Sequence, residues 1–237
     1  MKILIVNDDG ISAEGIHRLA KWATRLGEVT VCAPKAEQSG KSHAINFIDP
    51  MKIKRVDFPC SVEAYSVDST PADCVRFGIV GLGRKYDLVL SGINNGVNMS
   101  GDIVYSGTVG AIFEAAHQGH RALALSIAKE APQPSDGTLD MISQYIGKNR
   151  LFDKCGLYNI NIPKDPIAPR ITKQGSAYFS DEFFHQGNGI YIQRGHAVPE
   201  TNPEDKSIDT VAFAEGYISI TPMTLSRTDM GAFEILV

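Results

Sequence analysis

The sequence predicts an α/β fold built on a mostly parallel sheet, and three observations carry that prediction. The chain opens on Met1-Lys2-Ile3-Leu4-Ile5-Val6, an unbroken apolar run of strand length that suits a strand covered on both faces. A helix-period stretch follows, and after Gly27 a second buried strand, Glu28-Val29-Thr30-Val31-Cys32, completes a right-handed βαβ unit. The same alternation continues to about residue 163, where closely spaced prolines change the texture.

Taken in order, the first helix spans about Ala13 to Leu26, with Ile16, Leu19, Ala20, Ala23 and Leu26 at helical spacing and Gly27 as its stop. A loop, Ala33 to Ser42, leaves the end of the second strand. Met51–Val56 and Val62–Ser66 read as strands, with Pro59 between them. Thr70-Pro71-Ala72-Asp73 is a helix start: Thr caps, Pro takes the first position and Asp sits in the first turn. Tyr86–Leu90 is a buried strand, and Ser91–Ser106, dense in Gly and Asn, is a loop after it. Helices over about Gly107–Gln118 and Leu139–Gly147 alternate with strands Ala122–Ile127 and Leu157–Ile162. Residues 1–163 thus form the core. Residues 164–237, with Pro163, Pro166, Pro169, Pro199, Pro203 and Pro222 nearby, form an irregular C-terminal region. It holds a β-hairpin around Gly189-Ile190-Tyr191-Ile192-Gln193 and a closing strand, 217–221, able to return to the core.

At 237 residues and 43% hydrophobic, the chain buries a sizeable core. Its net charge of −4, with no basic tract, argues against duplex nucleic acid as a partner. No apolar run is long enough to span a bilayer. The N-terminus, with one early Lys and no small-residue cleavage site, does not read as a signal peptide. Cys32, Cys60, Cys74 and Cys155 form no Cys-x-x-Cys pair and read as buried free thiols of a cytoplasmic protein. Asn98-Met99-Ser100 matches the glycosylation pattern by chance.

Three polar loops leave three buried strands on the edge where such sheets bind ligands. Loop one is Asn7-Asp8-Asp9-Gly10; loop two contains Glu37-Gln38-Ser39-Gly40; loop three is Ser91-Gly92-Ile93-Asn94-Asn95-Gly96-Val97-Asn98. Adjacent Asp8 and Asp9 repel one another, and a hard divalent cation offsets that repulsion; the bland alternative is a solvated turn. Tyr105-Ser106-Gly107-Thr108-Val109-Gly110 opens a helix whose N-terminal amides, hydroxyls and glycines suit a phosphate, the alternative being plain N-capping. Gly107 and Gly110 are expected to let the anion approach the backbone. His43 is a candidate for acid–base work or a structural loop residue, and Trp22 and Phe77 fit helix packing.

Other phosphate chemistries fail on particular residues. Ser39-Gly40-Lys41-Ser42 ends like a Walker loop, but Lys35 stands where its leading glycine belongs. No G-x-G-x-x-G follows the first strand, which argues against a dinucleotide-dependent dehydrogenase. An aspartyl-phosphate phosphatase wants a second Asp two residues after the first, and Gly10 holds that place.

Five motifs then occur in order: Asn7-Asp8-Asp9-Gly10; Ala33-Pro34 with Ser39-Gly40; Thr70-Pro71-Ala72-Asp73-Cys74-Val75; Ser91-Gly92-Ile93-Asn94 with Gly96 and Asn98; and Tyr105-Ser106-Gly107-Thr108-Val109-Gly110. Together they resemble the SurE survival protein family of 5′/3′-nucleotidases. The likeness is dense over about the first 130 residues and resumes at Asn159-Ile160-Asn161-Ile162-Pro163 and Gly216-Tyr217-Ile218-Ser219-Ile220-Thr221-Pro222. Ser69 stands where Gly often precedes Thr70-Pro71, and Lys41-Ser42-His43 makes loop two unusually basic.

The resemblance implies a Rossmann-like three-layer core with a C-terminal extension, and a phosphomonoesterase that hydrolyses nucleoside 5′- and 3′-monophosphates to nucleoside and phosphate. It implies one divalent ion per subunit, Mg²⁺ or Mn²⁺, with Ca²⁺ as a crystal stand-in, held by Asp8, Asp9, Ser39 and Asn95. Asp8, Asp9 and Asn95 are the implied catalytic residues, and Asn95, Ser106, Gly107 and Thr108 bind the phosphate. The implied partners are nucleoside monophosphates and further copies of the chain, in a homodimer or homotetramer assembled through C-terminal segments, with no membrane. The competing class is a non-catalytic nucleotide sensor, which needs the phosphate loop but not the adjacent aspartates.

Overall fold

The computed structural model describes residues 1–237. Its elements, in chain order, are β1 (Lys2–Val6), α1 (Glu14–Ala23), β2 (Glu28–Pro34), β3 (Ile53–Val56), β4 (Glu63–Val67), α2 (Pro71–Arg76), β5 (Leu88–Asn95), α3 (Gly107–His117), β6 (Ala122–Ile127), α4 (Asp136–Lys148), β7 (Leu157–Ile162), β8 (Pro169–Ile171), β9 (Phe179–Gly187), β10 (Ile190–Ala197), α5 (Asp209–Ala214), β11 (Ile218–Pro222) and α6 (Met230–Leu236). Nine strands form one sheet in the order β3-β4-β2-β1-β5-β6-β7-β11-β8. The run from β4 to β7 is parallel, and β3 and β11 pair antiparallel with β4 and β7.

β1 shows why the opening run lacks alternation. Ile3 and Ile5 face one way, into a cluster with Ile16, Leu19 and Trp22 of α1 and Leu139 and Ile142 of α4. Leu4 and Val6 face the other way, toward Val75 of α2 and Val109 and Ile112 of α3. Helices therefore cover both faces, making three layers. Trp22 packs in the core as expected, and its ring N–H donates to Asp140 at 2.8 Å. No helix is long and apolar enough to cross a membrane.

Differences from the sequence reading have local causes. β5 does not end at Leu90 but runs on through Asn95, because Asn94 and Asn95 pair with Ser126 and Ile127 of β6 after an irregularity. Central pairing overrides the weak strand preference of Gly and Asn. Gly92 (φ +134°) is needed in that irregularity, since a Cβ there would stand 2.3 Å from the Leu125 carbonyl oxygen. Short α5, α6 and β8 lie in the region read as irregular. β11 reaches the sheet through β7. All four cysteines are free, but Cys60 is exposed and Cys155 only partly buried.

β9 and β10 form a separate two-stranded sheet. Asn188 (φ 51°) and Gly189 (φ 75°) turn the hairpin, the positive-φ pair that a tight two-residue turn demands.

Candidate active site

Loop one is closed by Asn7, which is fully buried. Its amide nitrogen donates to the Gly10 carbonyl at 2.9 Å, and the Gly10 N–H donates back to its amide oxygen at 3.2 Å. Gly10 sits at φ +99°, where side chains are disfavoured. This turn sends Asp8 inward and leaves Asp9 half-buried at the strand ends.

Loop two is pinned at both ends. The Gln38 N–H donates to the Asp8 carbonyl at 2.7 Å, and the Ser42 N–H donates to the Tyr105 carbonyl at 3.0 Å. Ser42 crosses α3 directly over Gly110, where a Cβ would stand 2.2 Å from the Ser42 carbonyl oxygen. His43 then meets Glu114 of α3 at 2.9 Å. Arg76 and Gln118 donate to the other Glu114 oxygen at 3.0 and 2.8 Å. Burial alone would raise the Glu114 pKa, but the hydrogen bonds of His43 and Gln118 and the charges of Arg76 and His43 outweigh it and hold it at about 2. His43 therefore anchors the loop, and it does not line the cavity that holds Asp8.

Loop three is held from three sides. Asn98 receives donors from Asn159 (2.7 Å) and Asn161 (2.8 Å) at its carbonyl, and its own N–H donates to the Asn161 amide oxygen at 2.8 Å. Its side chain donates to Ser126 at 2.8 Å, and the Ser100 N–H donates to buried Asp209 at 2.8 Å. The two asparagines of β7 are the readable trace of this clamp, polar residues inside an apolar strand.

These loops meet in one cavity of about 590 Å³, lined by Asp8, Asp9, Ser39 and Asn95 together with Ser106. The Asn95 N–H donates to Asp9 at 3.3 Å, its side-chain oxygen accepts from the Glu130 N–H at 3.0 Å, and the Ser39 hydroxyl donates to Glu37 at 2.5 Å. Thr108 and Gly107 stand against Asp8 instead of the cavity. The Thr108 hydroxyl donates to the Asp8 carboxylate, and a Cβ on Gly107 would lie 3.0 Å from Asp8 Cβ. Gly107 and Gly110 thus clear space for Asp8 and for the loop-two backbone. Ser106 caps α3 by accepting from the Val109 N–H at 3.1 Å.

Burial pushes the Asp8 carboxyl up to about 6, against the pull of the Thr108 hydroxyl and with a push from Asp9. Burial raises Asp9 as well, with the Asn95 N–H lowering it and Glu37 adding to the rise. No cationic side chain is among the groups that set either shift. Two crowded carboxylates without a cation are a site that lacks positive charge. No three His, Cys, Asp or Glu side chains converge as a metal cluster. The donors are instead two carboxylates, a hydroxyl that gives its proton to Glu37, and an amide oxygen. That oxygen-only set fits a hard divalent ion retaining several waters and does not fit zinc.

The model of the family described as survival protein SurE matches residues 3–181. The chain belongs to the SurE survival protein family. The 5′-nucleotidase SurE of Thermosipho melanesiensis is 36% identical over 97% of this chain and 93% of its own length. That of Thermoanaerobacter sp. is 37% identical over 100% of this chain and 97% of its own. The crystal structure of the SurE protein from Aquifex aeolicus superposes with a TM-score of 0.81 at 30% identity, covering 100% of this chain and 98% of that one. The α/β architecture is therefore the SurE fold.

Asp102, which no sequence motif marks, is tied to the C-terminal hairpin: its carboxylate accepts from the Tyr178 and Phe179 N–H groups, both at 2.8 Å. Phe179, Asp181, Gln193 and Gly195 of that hairpin line the same cavity as the aspartates. No short-range pattern signals a contact that spans 76 residues of sequence.

Proposed function

We propose that this SurE chain is a divalent-metal-dependent phosphomonoesterase that hydrolyses nucleoside 5′- and 3′-monophosphates to nucleoside and phosphate. The observation that carries the reading is the opening of Asp8, Asp9, Ser39 and Asn95 onto one cavity beside the start of α3. The nucleotidase names of its relatives support the substrate class.

Asp8, Asp9, Ser39 and Asn95 hold the ion in this reading, Mg²⁺ or Mn²⁺. A divalent ion bound there supplies Lewis acidity and a water of lowered pKa. The Asn95 side-chain amide nitrogen, free of the contact its oxygen makes, donates to a phosphate oxygen. Ser106 and the positive end of α3 favour charge on the transferred group. Thr108 and Gly107 act through Asp8, the first by its hydrogen bond and the second by the space it leaves. Asp9, the more open carboxylate, accepts the proton of the attacking water. Water attacks phosphorus in line, the P–O bond to the nucleoside breaks, and the proton taken up by Asp9 returns through water to the departing oxygen, which leaves as the nucleoside hydroxyl; no bond forms between protein and phosphorus.

The assembly in this reading is a homodimer or homotetramer, supported by exposed apolar side chains on the hairpin and on α6. The four free thiols suit a reducing compartment, and we place the activity in the cytoplasm.

The test is phosphate release from a panel of nucleoside 5′- and 3′-monophosphates with Mn²⁺, with Mg²⁺ and after chelation. Turnover that needs an added ion is expected. Turnover that survives chelation, or none with any ion, overturns the reading.

A further inference from the structure

Part of the wall around Asp8 and Asp9 is the base of the β9–β10 hairpin. In that ladder Phe179 pairs with Ala197, Asp181 with Gly195, and Phe183 with Gln193. Directly opposed residues share a face of the sheet. Phe179, Asp181, Gly195 and Gln193 are therefore one surface, turned toward the cavity. No core element covers it: Phe179 is 45% exposed, and Tyr105, on the same cavity just before Ser106, is 63% exposed.

Two further observations describe the shape and the fixation of this face. Gly195 has no positive φ that demands glycine. A Cβ there would stand 3.3 Å from the Asp181 carboxylate and 3.7 Å from the Phe179 ring. Glycine at that position spares the Asp181 carboxylate this crowding and leaves the strip beside the Phe179 ring flat, with room for a planar group to approach the backbone. Phe179 is also held in place: Asp102 accepts its N–H and that of Tyr178, and the Tyr178 ring meets it edge-on with centroids 4.8 Å apart. An exposed aromatic ring whose backbone is fixed at the mouth of a polar cleft has the form of a base-stacking platform.

We propose that this face is the nucleobase subsite, an inference that rests on the nucleotidase reading above. The base stacks on Phe179 and Tyr105 and lies across the strip that Gly195 leaves flat. Asp181 accepts from an N–H on the base edge, and the Gln193 amide serves as donor or acceptor there. Asp102 is a positioning residue, acting through the backbone of Phe179. Stacking tolerates any base, so the subsite gives affinity for nucleosides as a class, and Asp181 favours bases whose edges offer donors.

The test compares kcat/KM for a nucleoside 5′-monophosphate with that for ribose 5-phosphate, the same ester without a base, on the full chain with Mn²⁺. Phe179→Ala is expected to lower the nucleotide-to-sugar ratio about tenfold, the scale of losing one base–aromatic stack. Phe179→Trp restores the ratio, and Asp102→Ala lowers it through KM with kcat retained. A neutral nucleoside competes with ribose 5-phosphate, and its inhibition constant rises about tenfold in Phe179→Ala. An unchanged ratio in Phe179→Ala overturns the proposal. So does a ratio that falls only where light scattering shows the assembly has come apart. A wild type that hydrolyses ribose 5-phosphate with no preference for nucleotides removes the subsite and leaves the phosphomonoesterase. A wild type that hydrolyses neither ester removes both.

Discussion

The Thr108 hydroxyl donates to the Asp8 carboxylate across 100 residues of sequence, joining the start of α3 to the end of β1. The contact gives Asp8 one orientation in the cavity and offsets part of the cost of burying its charge. Thr108→Val keeps the volume and removes the donor. Partners that orient ligand residues typically matter tenfold or more to metal affinity. The expected outcome is a Mn²⁺ dissociation constant raised roughly tenfold with the fold intact, read by titration of the purified variant.

Asp8 itself carries a stability signature. Its folded-state pKa, about 6, lies above the ordinary aspartate value because of burial. Stability is therefore full while Asp8 is protonated in both states, and it is lost as pH rises toward about 6. Asp8→Asn removes that loss. Without metal the variant is expected to melt above the wild type at pH 7, with the gap closing by pH 4. Saturating Mn²⁺ reverses the order, since only the wild type gains by binding, and nucleotide turnover in the variant all but disappears. Equal melting of the two metal-free proteins at pH 7 counts against the argument.

Glu114 gives the opposite sign. Held at about 2, it contributes stability above the ordinary glutamate range, and that contribution is lost as pH falls toward about 2. Glu114→Gln should flatten this acid limb in circular-dichroism melts between pH 5 and pH 2. It also loosens His43, and with it the loop that carries Ser39. Metal affinity should drop as well, and a variant with an unchanged acid limb would show that the cluster does not support the fold.

Gly110 gives the cleanest test of how loop two is placed. The Ser42 carbonyl oxygen lies 2.2 Å from where an alanine Cβ would stand. Gly110→Ala must push the loop off α3, although alanine is the better helix former. Metal binding is expected to weaken several-fold. Crystallography of the variant should show Ser42 and His43 displaced; undisturbed Ser42 would refute the packing argument.

Much of this site could be read from local patterns. The run before Asn7 had strand length, Thr70 capped α2 by accepting the Asp73 N–H, and Ser106 capped α3. Each is a short-range rule about backbone groups and their neighbours in sequence. What escaped was non-local. Asn94 and Asn95 read as loop because their strand pairing depends on β6. The small side of Gly110 faces Ser42, and nothing near position 110 announces that. Asp102 takes its partners from the entry to β9, 76 and 77 residues further along the chain, so nothing near position 102 marks it.

The last prediction concerns assembly. A hairpin standing apart from the main sheet is marginal in water on its own. β9 and β10 nonetheless carry Phe183, Phe184, Tyr191 and Ile192, and Phe183 is 67% exposed in the single chain. α6 repeats the pattern, with Ile235 at 85%. Apolar side chains on two projecting segments are the composition of a contact surface. Copies of this chain fit both, because closed symmetry lets one patch serve two subunits. Light scattering at micromolar concentration should therefore give at least a dimer's mass, against 25.7 kDa for one chain. A mass of one chain removes the argument outright. Deleting residues 183–193 while keeping Phe179 and its tie to Asp102 should reduce the assembly. If that deletion leaves the number of subunits unchanged, the contact lies on α6, and removing residues 230–237 should then break it.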